Sequence, residues 1–475
     1  MSLTQEQLYA ALPPWLQSVA ISVYGIRWRN ERLGGRFDAY VREFSDRDRW
    51  SPGQFGAYLD ARLAERLLTA FDSVPYYRES WTARGFSRSA LRRLGRANLP
   101  DLPVTPKEDF RANPAAFLVT GNPGQQVRTY QSSGSTGTPV ATACTADDHR
   151  RFIAAREARS FRWAGVSVQS PRSMIGGRMV VTDPESGPPY HRYNLAEQQV
   201  YFSAFHISPA NAVHYVSAFN RFQPEVLTGY AQSHFLLGRM MLAQGLQFDY
   251  SPRALILSSE RLTSAMRTVV HEAYRSRAWE EYGAVENVVL ATECEYGRLH
   301  AHHDFGILEI VDEHGFPVPP GVEGRILCTG MLNETQMLFR YEIGDIGVWD
   351  TESCPCGRVH LPVLAGIVGR IEDVVVGPDG RQLVRFHGIF IDVPHVLAGQ
   401  IVQETKDSIL VRVIATESFG DAQRSVLTQR VQARLGKVDV RVEAASTLER
   451  TPRGKIRAVI SRLREQGHAP FETAR

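Results

Sequence analysis

The sequence predicts an α/β fold built from a large domain and a smaller α+β domain, and three observations carry that prediction. From residue 128 to about residue 368, short apolar runs alternate with helical patterns, the signature of layered strands and helices. Near Gly369 the same alternation resumes on a smaller scale, as one strand, one helix and another strand. The chain has 475 residues, too many for one simple core. The domains drawn from this shift are 1–369 and 370–475, with the junction near 370–373.

The elements follow in chain order. Residues 1–100 read as mainly helical, and Phe55–Phe71 carries Leu59, Leu63, Leu67 and Leu68 at helical spacing. Leu102–Asp109 (LPVTPKED) predicts a linker that enters a helix. Val127–Tyr130 and Val140–Thr145 read as extended, with Gln131–Pro139 (QSSGSTGTP) between them. Ala146–Trp163, Pro209–Phe222 and Ala231–Gln244 predict helices, the last stopped by Gly245. Val226–Gly229 and Ala254–Leu257 predict buried parallel strands. In the small domain, Ser408–Ile414 and Val438–Val442 predict strands around a helix at Ala422–Leu435.

Composition excludes several function classes. The 43% hydrophobic and 22% charged fractions are those of a soluble globular protein, and no run nears the roughly 18 apolar residues of a membrane span. The first residues, MSLTQEQLYAALPPWLQ, lack the basic start and apolar core of a signal peptide, so a cytoplasmic protein is expected. A net charge of +3 with scattered basic residues argues against a nucleic-acid partner. Of the 54 basic residues, 50 are Arg, and the lysines are Lys107, Lys406, Lys437 and Lys455. A Lys retained in such a chain points to a place where a compact ammonium is wanted; genome composition explains the Arg excess but not these positions. Five cysteines, an odd number, argue against a disulfide framework and for metal binding or buried thiols.

The most informative segment is Gln131–Pro139. Ser132, Ser133, Ser135 and Thr136 offer hydroxyls, while Gly134 and Gly137 let backbone N–H groups come close to an anion. A Walker loop would end in Gly-Lys-Ser/Thr and open a helix, and this segment does neither. Alone it reads more readily as an ordinary flexible turn than as a phosphate cradle. Four further segments follow it: Glu281–Glu286 (EYGAVE), Tyr341–Asp345 (YEIGD), Gly369–Asp373 (GRIED) and Pro452–Arg457 (PRGKIR). Singly, Tyr282-Gly283 is a turn, Asp345 an Asx turn and Gly454-Lys455 a hairpin tip; the ordered set is much more specific. Together the five resemble the acyl-adenylate-forming superfamily of acyl-CoA synthetases, peptide-synthetase adenylation domains and luciferases. The resemblance runs from about the first hundred residues to the C-terminus. VPYYR at 74–78, the LPVTPKED stretch and CPCGR at 354–358 are similar to the phenylacetate–CoA ligase branch. Asp373–Arg381 and Gln400–Glu404 resemble the capsule-polysaccharide-biosynthesis adenylate-forming proteins, a functionally mixed subgroup.

That resemblance implies a large N-terminal adenylate-forming domain and a small mobile C-terminal lid. It implies an ATP-dependent ligase that joins a small-molecule carboxylic acid, favoured as an aryl acid, to AMP with release of pyrophosphate. The acyl group then passes to coenzyme A, a carrier protein or an amine. Transfer of AMP to a phenol or hydroxyl, as in coenzyme F390 synthetases, and a nucleotide-binding scaffold without turnover are the alternatives. Residues are implied as follows: Ser132–Gly137 cradle the phosphates, Ser259 and Glu260 flank the adenine, and Tyr282 with Gly283 stacks on it. Glu286 holds Mg²⁺, Asp345 and Arg370 meet the ribose, Glu372 is the hinge, and Lys455 is the catalytic cation. His206, Tyr230, Ser258 and Ala284 are the acid-pocket candidates. The chain departs from the family pattern at Thr138 and Val140, where Lys or Arg is usual, and at Val285, where Thr is usual. Neither the acid, the acceptor nor a homodimer can be read from the residues.

A second constellation comes from the cysteines. Cys294 and His300 are six apart, and Cys354-Pro355-Cys356 lies about sixty residues beyond Cys294, so three thiolates and one imidazole are available for a tetrahedral structural zinc. His302, His303 and His360 compete as ligands, and buried free thiols are the alternative.

Overall fold

A computed structural model describes residues 9, 12–121, 126–131, 140–176, 180–181, 186–370, 375–378, 382–383, 387–390, 393–450 and 456–463. Two compact units emerge: Met1–Ile343 with Gly347–Ile367, and Gly344–Ile346 with Val368–Arg475.

The large unit begins with helices. α1 (Pro14–Leu33), α2 (Phe37–Arg47) and α3 (Pro52–Ser73) are followed by α4 (Pro75–Ala83). Ser51 starts α3 with a reciprocal capping box to Gln54, and Pro52 fits the first turn, where no N–H partner is needed. The α3 face Phe55, Leu59, Leu63 and Leu67 is buried in the main core, whereas Leu68 is not among the core residues. β1 (Val127–Gln131) and β2 (Ala141–Thr145) form an antiparallel ribbon, with Gln131 paired to Ala141.

The remaining strands build one twelve-stranded mixed sheet. Its parallel half is β3 (Arg172–Gly176), β5 (Gln199–Ser203), β6 (Val226–Tyr230), β7 (Ala254–Ser258) and β8 (Ala278–Gly283), with β4 (His191–Asn194) antiparallel at the edge. The other half holds β9 (Leu290–Glu293), β10 (Leu299–Ala301), β11 (Gly306–Val311), β12 (Glu323–Gly330), β13 (Tyr341–Trp349) and β14 (Val363–Arg370). Between the parallel strands run α5 (Ala212–Phe222), α6 (Ala231–Gln244) and α7 (Ser264–Tyr274). Gly229 has φ +129°, and a Cβ there would sit 1.9 Å from the Ile175 carbonyl oxygen, so β6 reaches β3 only because the residue is glycine.

The helix expected over Ala146–Trp163 is α-helical only to Arg156 and continues as a wider π-helical turn over Glu157–Phe161. There the Glu157 carboxylate accepts from Val168 N at 2.7 Å and from Ser167 Oγ at 3.1 Å, drawing the turn toward the next segment. Arg159, inside that turn, is fully buried and bonds Asp304, which Arg47 also bonds at 2.7 Å. Burial pushes the Asp304 carboxyl up, but the two guanidiniums outweigh it and hold the group well below the usual carboxylate range.

The small unit has its own four-stranded sheet, in the order Asp439–Ala444, Ser408–Ala415, Val396–Gln403, Val459–Ser461. These are β17 (Val396–Gln403), β18 (Ser408–Ala415), β19 (Asp439–Ala444) and β20 (Val459–Ser461). A helix, α8 (Asp421–Leu435), buries Leu427, Val431 and Leu435 with Ile401, Ile409 and Val411 of the sheet. Two further two-residue strands, β15 (Val375–Val376) and β16 (Gln382–Leu383), pair with each other. Among the described residues, no helix is long and apolar enough to cross a membrane.

Candidate functional site

The parallel strands end side by side, which is where open α/β sheets place their ligands. Tyr230 and Ser258 are paired neighbours at the carboxyl ends of β6 and β7, and Gly283 closes β8. His206 follows β5 and is buried; Ser203 Oγ and His206 Nδ1 are 2.7 Å apart, and Tyr190 stacks on the imidazole at 5.0 Å. Ala284 follows β8 and packs on the main core together with half-buried Tyr282. The four acid-pocket candidates thus share the carboxyl edge of the parallel half.

Ser259 turns out of β7 with φ +69°, a left-handed conformation unusual for a side chain with a Cβ. The turn directs Glu260 to the start of α6, where its Oε2 accepts from Gln232 N at 2.9 Å. A carboxylate suits the unpaired N–H groups and positive end of a helix N-terminus.

After β8 the chain turns sharply. Asn287 N bonds the Ala284 carbonyl at 3.1 Å, Asn287 adopts φ +52°, and its side-chain amide donates to Val285 O at 2.9 Å. That turn leaves Glu286 buried, 5% exposed, with Oε1 accepting from the Tyr341 hydroxyl at 3.0 Å. Burial first, and then the Glu286 charge, raise Tyr341 far above its ordinary value, so the phenol stays a proton donor. Tyr341 opens the YEIGD segment but had no role in the sequence reading; its contact with Glu286 spans 55 residues, and no local pattern announces it. Asp345, four residues on in β13, is buried. Lys107 Nζ donates to the Ile343 carbonyl at 2.8 Å, so this retained lysine anchors β13. Glu281, beside Tyr282, is taken by Arg156 at 2.9 Å, a partner the sequence reading also missed.

The Ser132–Gly137 cradle, Thr138, Glu372 and Lys455 lie outside the described residues, as does the Arg370 side chain.

The cysteine constellation is brought together. Cys294 directly follows β9, His300 lies in β10, and Cys354 and Cys356 lie in the segment before β14. One ligand atom from each lies within 4.8 Å of all the others. The Cys294 and Cys354 sulfurs are 3.6 Å apart, and Cys356 Sγ is 3.4 Å from His300 Nε2. His300 Nδ1 lies 2.9 Å from Leu361 O and so donates to it, fixing the tautomer that presents a lone pair at Nε2. The competing ligands are not in this group: the His302 Nε2 atom pairs with Thr292 Oγ1, His303 lies edge-on to Trp349, and His360 packs on Phe55.

Comparison with known proteins agrees with this architecture. Residues 376–462 match the family model of the CapK C-terminal domain. Protein CapK of Staphylococcus aureus is 26% identical over 382 residues, covering 78% of this chain and 81% of that protein. A phenylacetate-coenzyme A ligase of Thermus thermophilus is 28% identical over 331 residues, covering 67% of this chain and 71% of that protein. Among solved structures, 2-hydroxyisobutyryl-CoA ligase in the postadenylation state with 2-HIB-AMP matches with a TM-score of 0.66 at 22% identity, covering 87% of this chain and 92% of that one. At that identity the structural match speaks for the fold.

Proposed function

As a relative of CapK and the phenylacetate–CoA ligases, with an adenylate-forming fold, this chain is, we propose, an ATP-dependent ligase that activates a carboxylic acid as its acyl-AMP. An aryl acid is the favoured substrate class and coenzyme A the favoured acceptor, both by kinship with the phenylacetate–CoA ligases. The observation that carries the reading is the Glu286 carboxylate, buried next to Tyr282-Gly283 and held at one oxygen by Tyr341.

In the first step a carboxylate oxygen of the acid attacks the α-phosphorus of ATP, the bond to the bridging oxygen of the β-phosphate breaks, and pyrophosphate leaves. Ser132–Gly137 cradle the phosphates. A hard oxygen donor such as Glu286 fits Mg²⁺, which when bound neutralises charge on the phosphates. Tyr341 aims that carboxylate, Tyr282 stacks on the adenine beside Ser259 and Glu260, and Asp345 with Arg370 meets the ribose. Lys455 stabilises the charge that builds on the α-phosphate. His206, Tyr230, Ser258 and Ala284 line the acid pocket. In the second step the acceptor nucleophile attacks the acyl carbon, expelling AMP.

The Cys294, His300, Cys354 and Cys356 set fits zinc, since thiolates and a lone-pair-bearing imidazole are its preferred donors and four protein ligands make a closed, structural site. Zinc there would tie β9 and β10 to the turn before β14.

Pyrophosphate release with a panel of aryl and alkyl acids tests the proposal, with product mass identifying the acylated or adenylylated species. Release that needs one acid class, Mg²⁺ and Glu286 supports it. No release with any acid, or near-normal release by Glu286→Ala, would refute it.

A further inference from the structure

We propose that the outer face of α1 is a homodimer surface, on which a second copy of this chain docks its own α1 antiparallel about a two-fold axis. A surface helix ordinarily turns an apolar stripe inward and polar residues outward. α1 does the reverse where it covers the sheet edge at β4. Ser18 and Ser22 lie one turn apart, about 6 Å along the helix, close to the roughly 6.8 Å between alternate N–H groups of a strand. Their hydroxyls accept from Tyr193 N at 3.4 Å and from Leu195 N at 3.0 Å. Gln17 Oε1 accepts from Arg192 Nε, and Gly25 lets Asn194 come so near that a Cβ would stand 2.4 Å from its amide oxygen. This polar and small lining satisfies the N–H groups of an edge strand, with Ile21 packed beside it on the cluster of Val180, Val181 and Tyr201.

The larger apolar residues of α1 stand outward. Trp15 is 65% exposed, Val19 50%, Val23 65%, Tyr24 52% and Ile26 66%, and Leu195, next to Ser22, is 68% exposed. Taking about 200 Å² for a whole aromatic side chain and about 100 Å² for an aliphatic one, these six leave about 500 Å² of apolar surface open. Monomers rarely expose so large an apolar patch without a use for it. Two copies joined here would remove about 1,000 Å² through those side chains alone, which reaches the threshold of a specific interface. The pattern is also its own complement. Trp15, Val19, Val23 and Arg27 form one i, i+4 row along the helix. About a two-fold axis between Val19 and Val23, each Val19 meets Val23 of the other copy. Each Trp15 likewise meets Arg27 of the other copy, a guanidinium over an indole. The exposed charges of α1 are Arg27 and Arg29, both positive and both in its last two turns. Side by side in a parallel pair they would repel; the antiparallel pair sets them at opposite ends.

The test is sedimentation equilibrium of the full chain at micromolar concentrations, with Val19→Glu, Val23→Lys, Trp15→Ala and an equimolar mixture of the first two. The parent should sediment at twice the chain mass. Val19→Glu and Val23→Lys each leave a charge unpaired in the apolar seam, and each should weaken self-association by roughly 10²-fold or more. Mixing the two should restore a two-chain species, because position 19 of one copy faces position 23 of the other and the new charges then meet as a pair. A variant that merely unfolds is not rescued by mixing. Trp15→Ala, which adds no charge, should weaken self-association about tenfold and serves if a charged variant does not fold. A single-chain parent, association unmoved by these substitutions, or a mixture that stays single-chain would overturn the proposal. So would a single-chain parent that co-sediments with phosphatidylglycerol vesicles through Val19 and Val23, since the face would then serve a membrane surface.

Discussion

Replacing Cys354 with alanine gives the metal proposal a number to meet. Around a tetrahedral zinc, with bonds of about 2.3 Å to sulfur and about 2.0 Å to nitrogen, sulfur–sulfur contacts fall near 3.8 Å and sulfur–nitrogen contacts near 3.5 Å. The observed values are 3.6 Å for Cys294–Cys354 and 3.4 Å for Cys356–His300. No pair exceeds 4.8 Å, so closing the set on an ion takes movements of about 1 Å. Cys294 and Cys354 are 60 residues apart, and a cross-link closing a loop of that length restricts the unfolded chain by about 4 kcal/mol. Spread over the unfolding entropy of a unit of about 360 residues, the loss lowers Tm by about 6 °C. Elemental analysis of protein purified without an affinity-tag metal should find one zinc per chain. Cys354→Ala should lose the zinc and about 6 °C together, and a strong chelator should bring the parent protein down by a similar amount. A metal-free parent protein, or a Cys354→Ala variant that unfolds at the parental temperature, would refute the reasoning.

Three other outcomes are expected. Tyr341→Phe deletes the hydrogen bond to Glu286, a bond to a charged group worth about 1.5–3 kcal/mol; the Mg²⁺ concentration for half-maximal pyrophosphate release should rise about tenfold or more, and an unchanged Mg²⁺ dependence would count against Glu286 as the cation's ligand. Asp304→Asn removes the carboxylate from Arg47 and leaves Arg159 with Asp48 alone, and should cost about 3–5 kcal/mol in urea unfolding; because the folded carboxyl is held below its unfolded value, its contribution is complete above pH about 4 and is lost as the pH falls through the folded value, so a chain whose stability already drops between pH 6 and 5 through this residue would contradict the assignment. Lys455→Ala should lose about 10²-fold or more in adenylation and spare acyl transfer, while Glu372→Pro, which fixes φ at the proposed pivot, should do the reverse; equal losses in both steps for both variants would rule out a two-position small domain.

What could be read in advance follows from how local each signal is. The helix Ala231–Gln244 was bounded to the residue, because Gly245 with φ +65° ends it by a rule that needs no distant partner. The helix expected from Pro209 begins instead at Ala212, after a Ser208–Asn211 turn that propensity does not distinguish from helix. Cys294, His300, Cys354 and Cys356 were legible as a group because residue type and spacing alone suggest metal chemistry, and the sheet brings them together. Tyr341 was not, since its meaning comes from a cross-sheet contact with Glu286. Gln400 was noticed only within a segment resembling the capsule-polysaccharide-biosynthesis proteins, and the strand it occupies, with its amide bonded to Glu449 and Arg457, shows only in the fold.

The glycine near the end of β6 limits how the proposed acid pocket can be reshaped. With a carbonyl oxygen of β3 standing 1.9 Å from where a Cβ would go, position 229 accepts no side chain unless the two strands separate. The floor between β3 and β6 is therefore fixed in shape for any descendant that keeps this sheet. On the acid pocket proposed above, a change in the acid accepted would come through Tyr230, Ser258, Ala284 or His206, which carry side chains at the carboxyl edge of the parallel strands. A library randomised at those four positions should yield altered acid preferences in folded protein, whereas one randomised at Gly229 should return glycine.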